Sequence, residues 1–133
     1  MSSLRIDRTL PAPTVRVWRA LTDGAELSAW FWPPRLQARA GIDAVPGGAL
    51  RIRSEVADLG ISGTVTAVEE ERSLSSTWRW DGEESETRVT IELAPEAGGT
   101  RVTVRHDGFA DDQAAAEHVT GWTDCLDRLL ATA

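Results

Sequence analysis

The chain has no lysine and no tyrosine, two phenylalanines and a single cysteine among its 133 residues. Without lysine there is no amine to form a Schiff base or to act as a nucleophile, and all fourteen basic side chains are arginine. The missing tyrosines take the phenol off the list of acids and bases. Cys125 has no second cysteine to pair with, and its place in an amphipathic helical stretch suits a reducing compartment. No segment approaches the roughly 18 apolar residues that a membrane span requires, and the opening Met-Ser-Ser-Leu-Arg holds no apolar signal core. A cytoplasmic protein without membrane insertion is expected. Linkers, internal repeats and composition shifts are also missing, so residues 1–133 read as one domain, and a chain of this size buries about two thirds of its unfolded surface.

A formal charge of −7 and a pI near 4.8 repel the phosphate backbone, so nucleic acid is not an expected partner. The acidic residues gather at Glu69 to Glu71, Asp81 to Glu86, and Asp111 and Asp112. Against this background stand six tryptophans, at positions 18, 30, 32, 78, 80 and 122. They recur at structural landmarks: the helical segments carry some, and Trp78 and Trp80 share one strand.

Leu4, Ile6 and Leu10 alternate with Arg5, Asp7 and Thr9 in a half-buried strand closed by Pro11 and Pro13. Val17, Trp18 and Leu21 form a helical stripe that Gly24 is placed to end as a left-handed cap. A second short helix carries Leu27, Trp30 and Phe31 and stops at Pro33-Pro34. From residue 36 to 108 the period drops to two, with hairpin punctuation at Pro46-Gly47-Gly48, Leu59-Gly60, Asp81-Gly82 and Ala97-Gly98-Gly99. Leu50, Ile52 and Val56 share a face, as do Leu74, Trp78 and Trp80, then Val89, Ile91 and Leu93, then Val102, Val104 and His106. The opposite face is rich in arginine beside Glu and Thr, the pattern of a solvated surface with cross-strand ion pairs. A bulge near Val65 to Val68 would reverse the parity locally. Residues 111 to 131 form a last helix with an acidic start and an apolar stripe of Ala115, Val119, Trp122, Leu126, Leu129 and Leu130.

The order strand, two helices, six strands, long helix carries a resemblance. So do Ala12-Pro13, the run Val17 to Asp23, Leu27 to Phe31, Pro46-Gly47-Gly48, Gly63-Thr64-Val65, Leu74 with Thr77-Trp78, Gly99 to Val104, His106 to Phe109, and Gly121-Trp122 with Leu126 and Leu129. Together they resemble the family related to the C-terminal domain of the activator of Hsp90 ATPase, within the START and Bet v 1-like (SRPBCC) superfamily. The resemblance implies an α+β helix-grip fold, in which a curved antiparallel sheet wraps a long C-terminal helix and two short helices follow the first strand. It also implies a tunnel or pocket between sheet and helix. Full activators carry a separate N-terminal domain that makes much of the chaperone contact, and these residues hold no counterpart of it. The superfamily carries ligand binding, lipid transfer, cyclisation chemistry and co-chaperone work on one scaffold, so the site decides among them.

Three readings follow. One is a non-enzymatic domain binding a small apolar or aromatic ligand in a cavity lined by Trp32, Ile52, Val56, Trp78, Trp80, Val89, His106, His118 and Trp122; the plain alternative is that these side chains fill a core. A second is an Hsp90-type co-chaperone or stress-response interaction module, with a chaperone as partner. A third is a cyclase-like or hydrolase-like enzyme using His106, which continues the inward pattern and titrates near neutral pH. No cofactor or metal is expected: His118 and Cys125 lie seven residues apart, roughly 10 Å along one helix, too far for one tetrahedral ion. Cys125 lies far from its helix N-terminus, where nothing lowers its pKa. Gly121 costs about 1 kcal/mol in a helix interior relative to Ala, which implies either close packing against the sheet, the favoured expectation, or the approach of a ligand to the helix backbone. Monomer and homodimer are both compatible with the edge strands.

Overall fold

The structure, a computed structural model describing residues 2–132, opens with strand β1 (Ser2–Leu10) and continues through two helices, α1 (Thr14–Thr22) and α2 (Gly24–Trp30). A single 3-10 turn over Pro34–Leu36 leads into β2 (Arg39–Ile42), β3 (Ala49–Ser54), β4 (Leu59–Glu69), β5 (Ser73–Trp80), β6 (Thr87–Glu96) and β7 (Gly99–Phe109). Helix α3 (Asp112–Thr132) closes the chain. The strands form one antiparallel seven-stranded sheet in the order β1-β7-β6-β5-β4-β3-β2, so the first strand joins the far end of the meander beside the last.

Period-two patterning put the apolar side chains where the pleat sends them. Leu4, Ile6 and Leu10, Val89, Ile91 and Leu93, and Val102 and Val104 are all buried on the face that α3 covers through Ala115, Trp122, Leu126 and Leu129. The outer face is laced with ion pairs. Arg51 makes two hydrogen bonds to Asp81, of 2.6 and 2.8 Å, Arg105 reaches Glu92 at 2.7 Å, and Arg101 reaches Asp7 at 3.4 Å. Pairs this exposed contribute about 0–1 kcal/mol each and set register more than stability. The pairing of β4 with β5 shifts register between Val65 and Ala67, within the stretch where the sequence allowed a bulge.

Two local expectations are corrected. Gly24 is not a left-handed cap: α1 ends at Asp23 in extended conformation, and the Asp23 side chain accepts a 3.1 Å bond from the Glu26 N–H, so Gly24 is the first residue of α2. A Cβ there would stand 2.7 Å from the Ala40 carbonyl oxygen, so glycine allows β2 to lie close against α2. The turn after β3 falls at 55–58, with Asp58 at a φ of 54°, rather than at Leu59-Gly60, which already belong to β4.

Two cross-links seat α2. Trp30 donates its indole N–H to the Ala20 carbonyl at 2.9 Å, joining α2 to α1. From α3, Arg128 donates through Nε to the Trp30 carbonyl at 3.0 Å and through Nη2 to the Phe31 carbonyl at 2.9 Å, and the Cys125 thiol also donates to the Phe31 carbonyl. The terminal carbonyls of a short helix, which lack intrahelical partners, are thus satisfied by the long one. The start of the segment Phe31 to Pro33 is thereby held against the C-terminal half of α3.

Candidate functional site

A cavity of about 500 Å³ lies between α3, the Phe31 to Pro33 segment and the end of β5. Its walls are Phe31, Trp32 and Pro33; Trp78, Trp80 and Glu83; and, on α3, Ala114, Glu117, His118, Gly121, Trp122, Asp124, Cys125 and Arg128. That volume lies within the range of about 300–1,000 Å³ typical of small-molecule sites. The indole rings of Trp32 and Trp80 stack with centroids 6.2 Å apart at 22°, forming one continuous aromatic wall. Trp122 and Trp78 meet at 5.4 Å, and Phe31 packs against Trp78 at 5.7 Å and edge-on to Trp122 at 5.9 Å.

Of the anticipated lining, Trp32, Trp78, Trp80, His118 and Trp122 stand around this cavity. Ile52 and Val89 do not reach it. They line a second, inner void of about 30 Å³, room for a water molecule, that shares Phe31, Trp78 and Trp122 with the larger one as a partition. Val56 lines neither, being 62% exposed: β3 ends at Ser54, and Val56 rides the following turn outside the sheet, where alternation no longer governs its direction. His106 does point inward, as its parity requires, but it is fully buried behind Trp122 and is not part of the cavity wall.

The surroundings of His106 determine its proton. The Trp122 N–H, which can only donate, points at Nδ1 at 3.1 Å, so Nδ1 is the acceptor. Nε2 therefore carries the hydrogen and donates to Thr87 Oγ1 at 2.6 Å, and the Thr87 hydroxyl passes on to the Trp78 carbonyl at 3.1 Å. Burial, assisted by the neighbouring His118, pushes the imidazole down to about 3. His118, on the cavity wall, accepts the Trp80 N–H at Nε2 (3.1 Å) and donates from Nδ1 to the Ala114 carbonyl (2.8 Å). Burial pushes the Cys125 thiol up to about 12 despite Arg128 beside it, so the sulfur stays protonated and is no nucleophile. Among the described residues, one buried side-chain polar atom lacks a partner, the indole N–H of Trp78. No group of three or more His, Cys, Asp and Glu side chains among the described residues is arranged to hold a metal ion.

Gly121 reverses the packing expectation. A Cβ built there meets nothing within 4 Å, so no close approach to the sheet requires glycine; the missing side chain keeps the α3 wall of the cavity open. Gly121→Ala is expected to raise stability by about 1 kcal/mol through helix propensity alone, read as a higher denaturant midpoint at unchanged m-value. Gly121→Leu is expected to fold equally well while filling the cavity mouth.

The lining residues absent from the sequence-based set are Phe31, Pro33 and Glu83, which flank its tryptophans, and Ala114, Glu117, Gly121, Asp124, Cys125 and Arg128, which lie at offsets of three and four along α3. Those on α3 form a second stripe beside the apolar one. Their mixed polarity made that stripe look like the edge of a solvated face.

A curved antiparallel sheet closed by a long C-terminal helix, with a pocket under that helix, places the protein in the helix-grip, Bet v 1-like class. More narrowly, the chain belongs to the family of activator of Hsp90 ATPase homolog 1-like (AHSA1) proteins, whose profile matches residues 11–133. Solved structures share the fold over almost the whole chain. A protein from Rhodobacter sphaeroides is 27% identical, with a TM-score of 0.86 over 98% of this chain and 91% of its own. CalU16 from Micromonospora echinospora is 27% identical, with a TM-score of 0.78 over 96% of this chain and 73% of its own. DynU16, from the dynemicin biosynthetic locus, is 25% identical, with a TM-score of 0.83 over 98% of this chain but 46% of its own, so this chain spans about half its length. Among curated proteins, none matches the chain.

Proposed function

We propose that residues 1–133 form a single AHSA1-like domain that binds a small apolar or aromatic molecule between α3 and the sheet, and holds it without altering it chemically. The observation that carries this reading is the cavity itself: about 500 Å³ walled by Trp32, Trp78, Trp80 and Trp122. Indoles offer wide flat apolar contact with one donor each. A neighbour from a biosynthetic locus, DynU16, supports a role in handling small organic molecules. A binding role rather than an enzymatic one is favoured because His106 is sealed, with both ring nitrogens engaged, and Cys125 stays a thiol. A cytoplasmic setting fits the single buried, unpaired cysteine.

The test is the mass of the protein purified from its native cells, recorded under native and then denaturing conditions. The expected result is a discrete extra mass that is lost on unfolding and absent from Gly121→Leu. The co-chaperone reading rests on the family relationship, and its measurement is a titration of a purified Hsp90-type ATPase. An empty protein that stimulates the ATPase, with Gly121→Leu equally active, would transfer the function from the cavity to the surface.

A further inference from the structure

The charged groups around the cavity are unequally committed. Arg128, its one guanidinium, is turned toward the end of α2, donating to the carbonyls of Trp30 and Phe31 and lying 3.6 Å from the Cys125 sulfur. Three carboxylates share the wall: Glu83 after β5, and Glu117 and Asp124 on α3, four residues before and three after the open Gly121. Among the described residues, none of the three has a basic group within 4.0 Å; Asp43, Glu70 and Glu86 away from the cavity share that state, while Asp81 and Glu92 are paired with arginine. Beside them lies the stacked Trp32 and Trp80 pair, half-buried, and indole faces attract cations more strongly than any other side-chain ring.

Resting on the binding reading above, the geometry points to an amphipathic organic cation as the cavity's occupant: an apolar or aromatic body against the tryptophans and a positive charge toward the mouth. The positive charge meets indole faces and the uncompensated carboxylates, while an anion of the same shape meets those carboxylates as repulsion. The net charge of −7 adds a field of the same sign and steers cations inward.

Calorimetric titration with three probes of closely similar size, naphthylmethylammonium, naphthylmethanol and naphthaleneacetate, separates the terms. The expected order is cation, alcohol, anion, with the cation about tenfold tighter than the alcohol at low salt. In 1 M salt, where the Debye length falls to about 3 Å, most of that advantage is expected to vanish. The double variant Glu117→Gln, Asp124→Asn, both exposed positions, is expected to reduce it to about threefold or less. An alcohol that binds as well as the cation, or an anion that binds best, overturns the charge assignment and leaves the binding reading standing. No heat from any of the three, with no change in tryptophan emission, overturns both.

Discussion

Replacing Trp122 by alanine is expected to lower the stability of the fold by about 4 kcal/mol, the largest effect of any single truncation at the cavity. Trp122 is almost fully buried and divides the large cavity from the small inner one, touching Trp78, Phe31 and His106. Its removal leaves a void that neighbours fixed on β5 and α2 cannot collapse into, and it also leaves His106 Nδ1 without its donor, a cost of about 1–3 kcal/mol for a buried acceptor. Trp122→Phe keeps most of the ring volume and deletes the N–H, so it is expected to cost about 1–2 kcal/mol and to separate the hydrogen bond from the packing. Urea denaturation followed by tryptophan emission measures both. Half-buried Trp32 and Trp80 serve as controls, and their alanine variants are expected to lose far less stability than Trp122→Ala while weakening any ligand. Equal losses at all three positions would mean that the cavity wall is ordinary core.

The second large effect is a loss of stability in mild acid caused by one residue. His106 takes up its proton only near pH 3 when folded, because burial comes first and His118 second in opposing the charge, whereas in the unfolded chain it does so near 6.5. Between those values the unfolded state binds the extra proton, so stability is complete above about pH 6.5 and falls as the pH is lowered toward 3. Two pH units below the unfolded value correspond to about 3 kcal/mol, so the protein at pH 4.5 is expected to be weaker than at pH 7 by about that amount. Protonating Nδ1 would also set its N–H against the Trp122 N–H, donor facing donor. The carboxylates held low by their partners, Asp7 by Thr103 and Arg5, Asp81 by Arg51, lose their partners' stabilisation in a lower window, below the usual carboxylate range. Thermal unfolding across pH 4 to 7, repeated on His106→Gln, isolates the imidazole. The variant is expected to be flatter across that range, and an identical slope in both proteins would remove His106 as the cause.

Both predictions concern residues whose direction was legible in the sequence and whose depth was not. The alternation Val102, Val104, His106 is a local, covalent consequence of the strand, and so His106 had to point inward. Whether it met a cavity or a tryptophan depended on where α3 laid the indole of Trp122, 16 residues later in the chain, across it. Val56 shows the opposite limit. Parity carried it inward on paper, but the strand stopped two residues earlier, and the turn at 55–58 has no glycine to announce it.

The sequence by itself determined the elements and their order, the buried face of each strand, the acidic and lysine-free character of the surface, and through these the helix-grip architecture. These are properties of near neighbours: the strand period, the helix period and residues such as Pro13 and Pro33 that act on the adjacent backbone. Only the tertiary structure decided that tryptophans from three separate elements leave a space of about 500 Å³ instead of filling it, and that Gly121 borders that space instead of packing on the sheet. Only it decided which carboxylates at the mouth lack a partner. The physical reason is that a void is set by the separation and tilt of whole elements, here by Arg128 and Cys125 pinning the end of α2 against α3. That separation is a sum over many weak long-range contacts, and no local pattern in the chain encodes it.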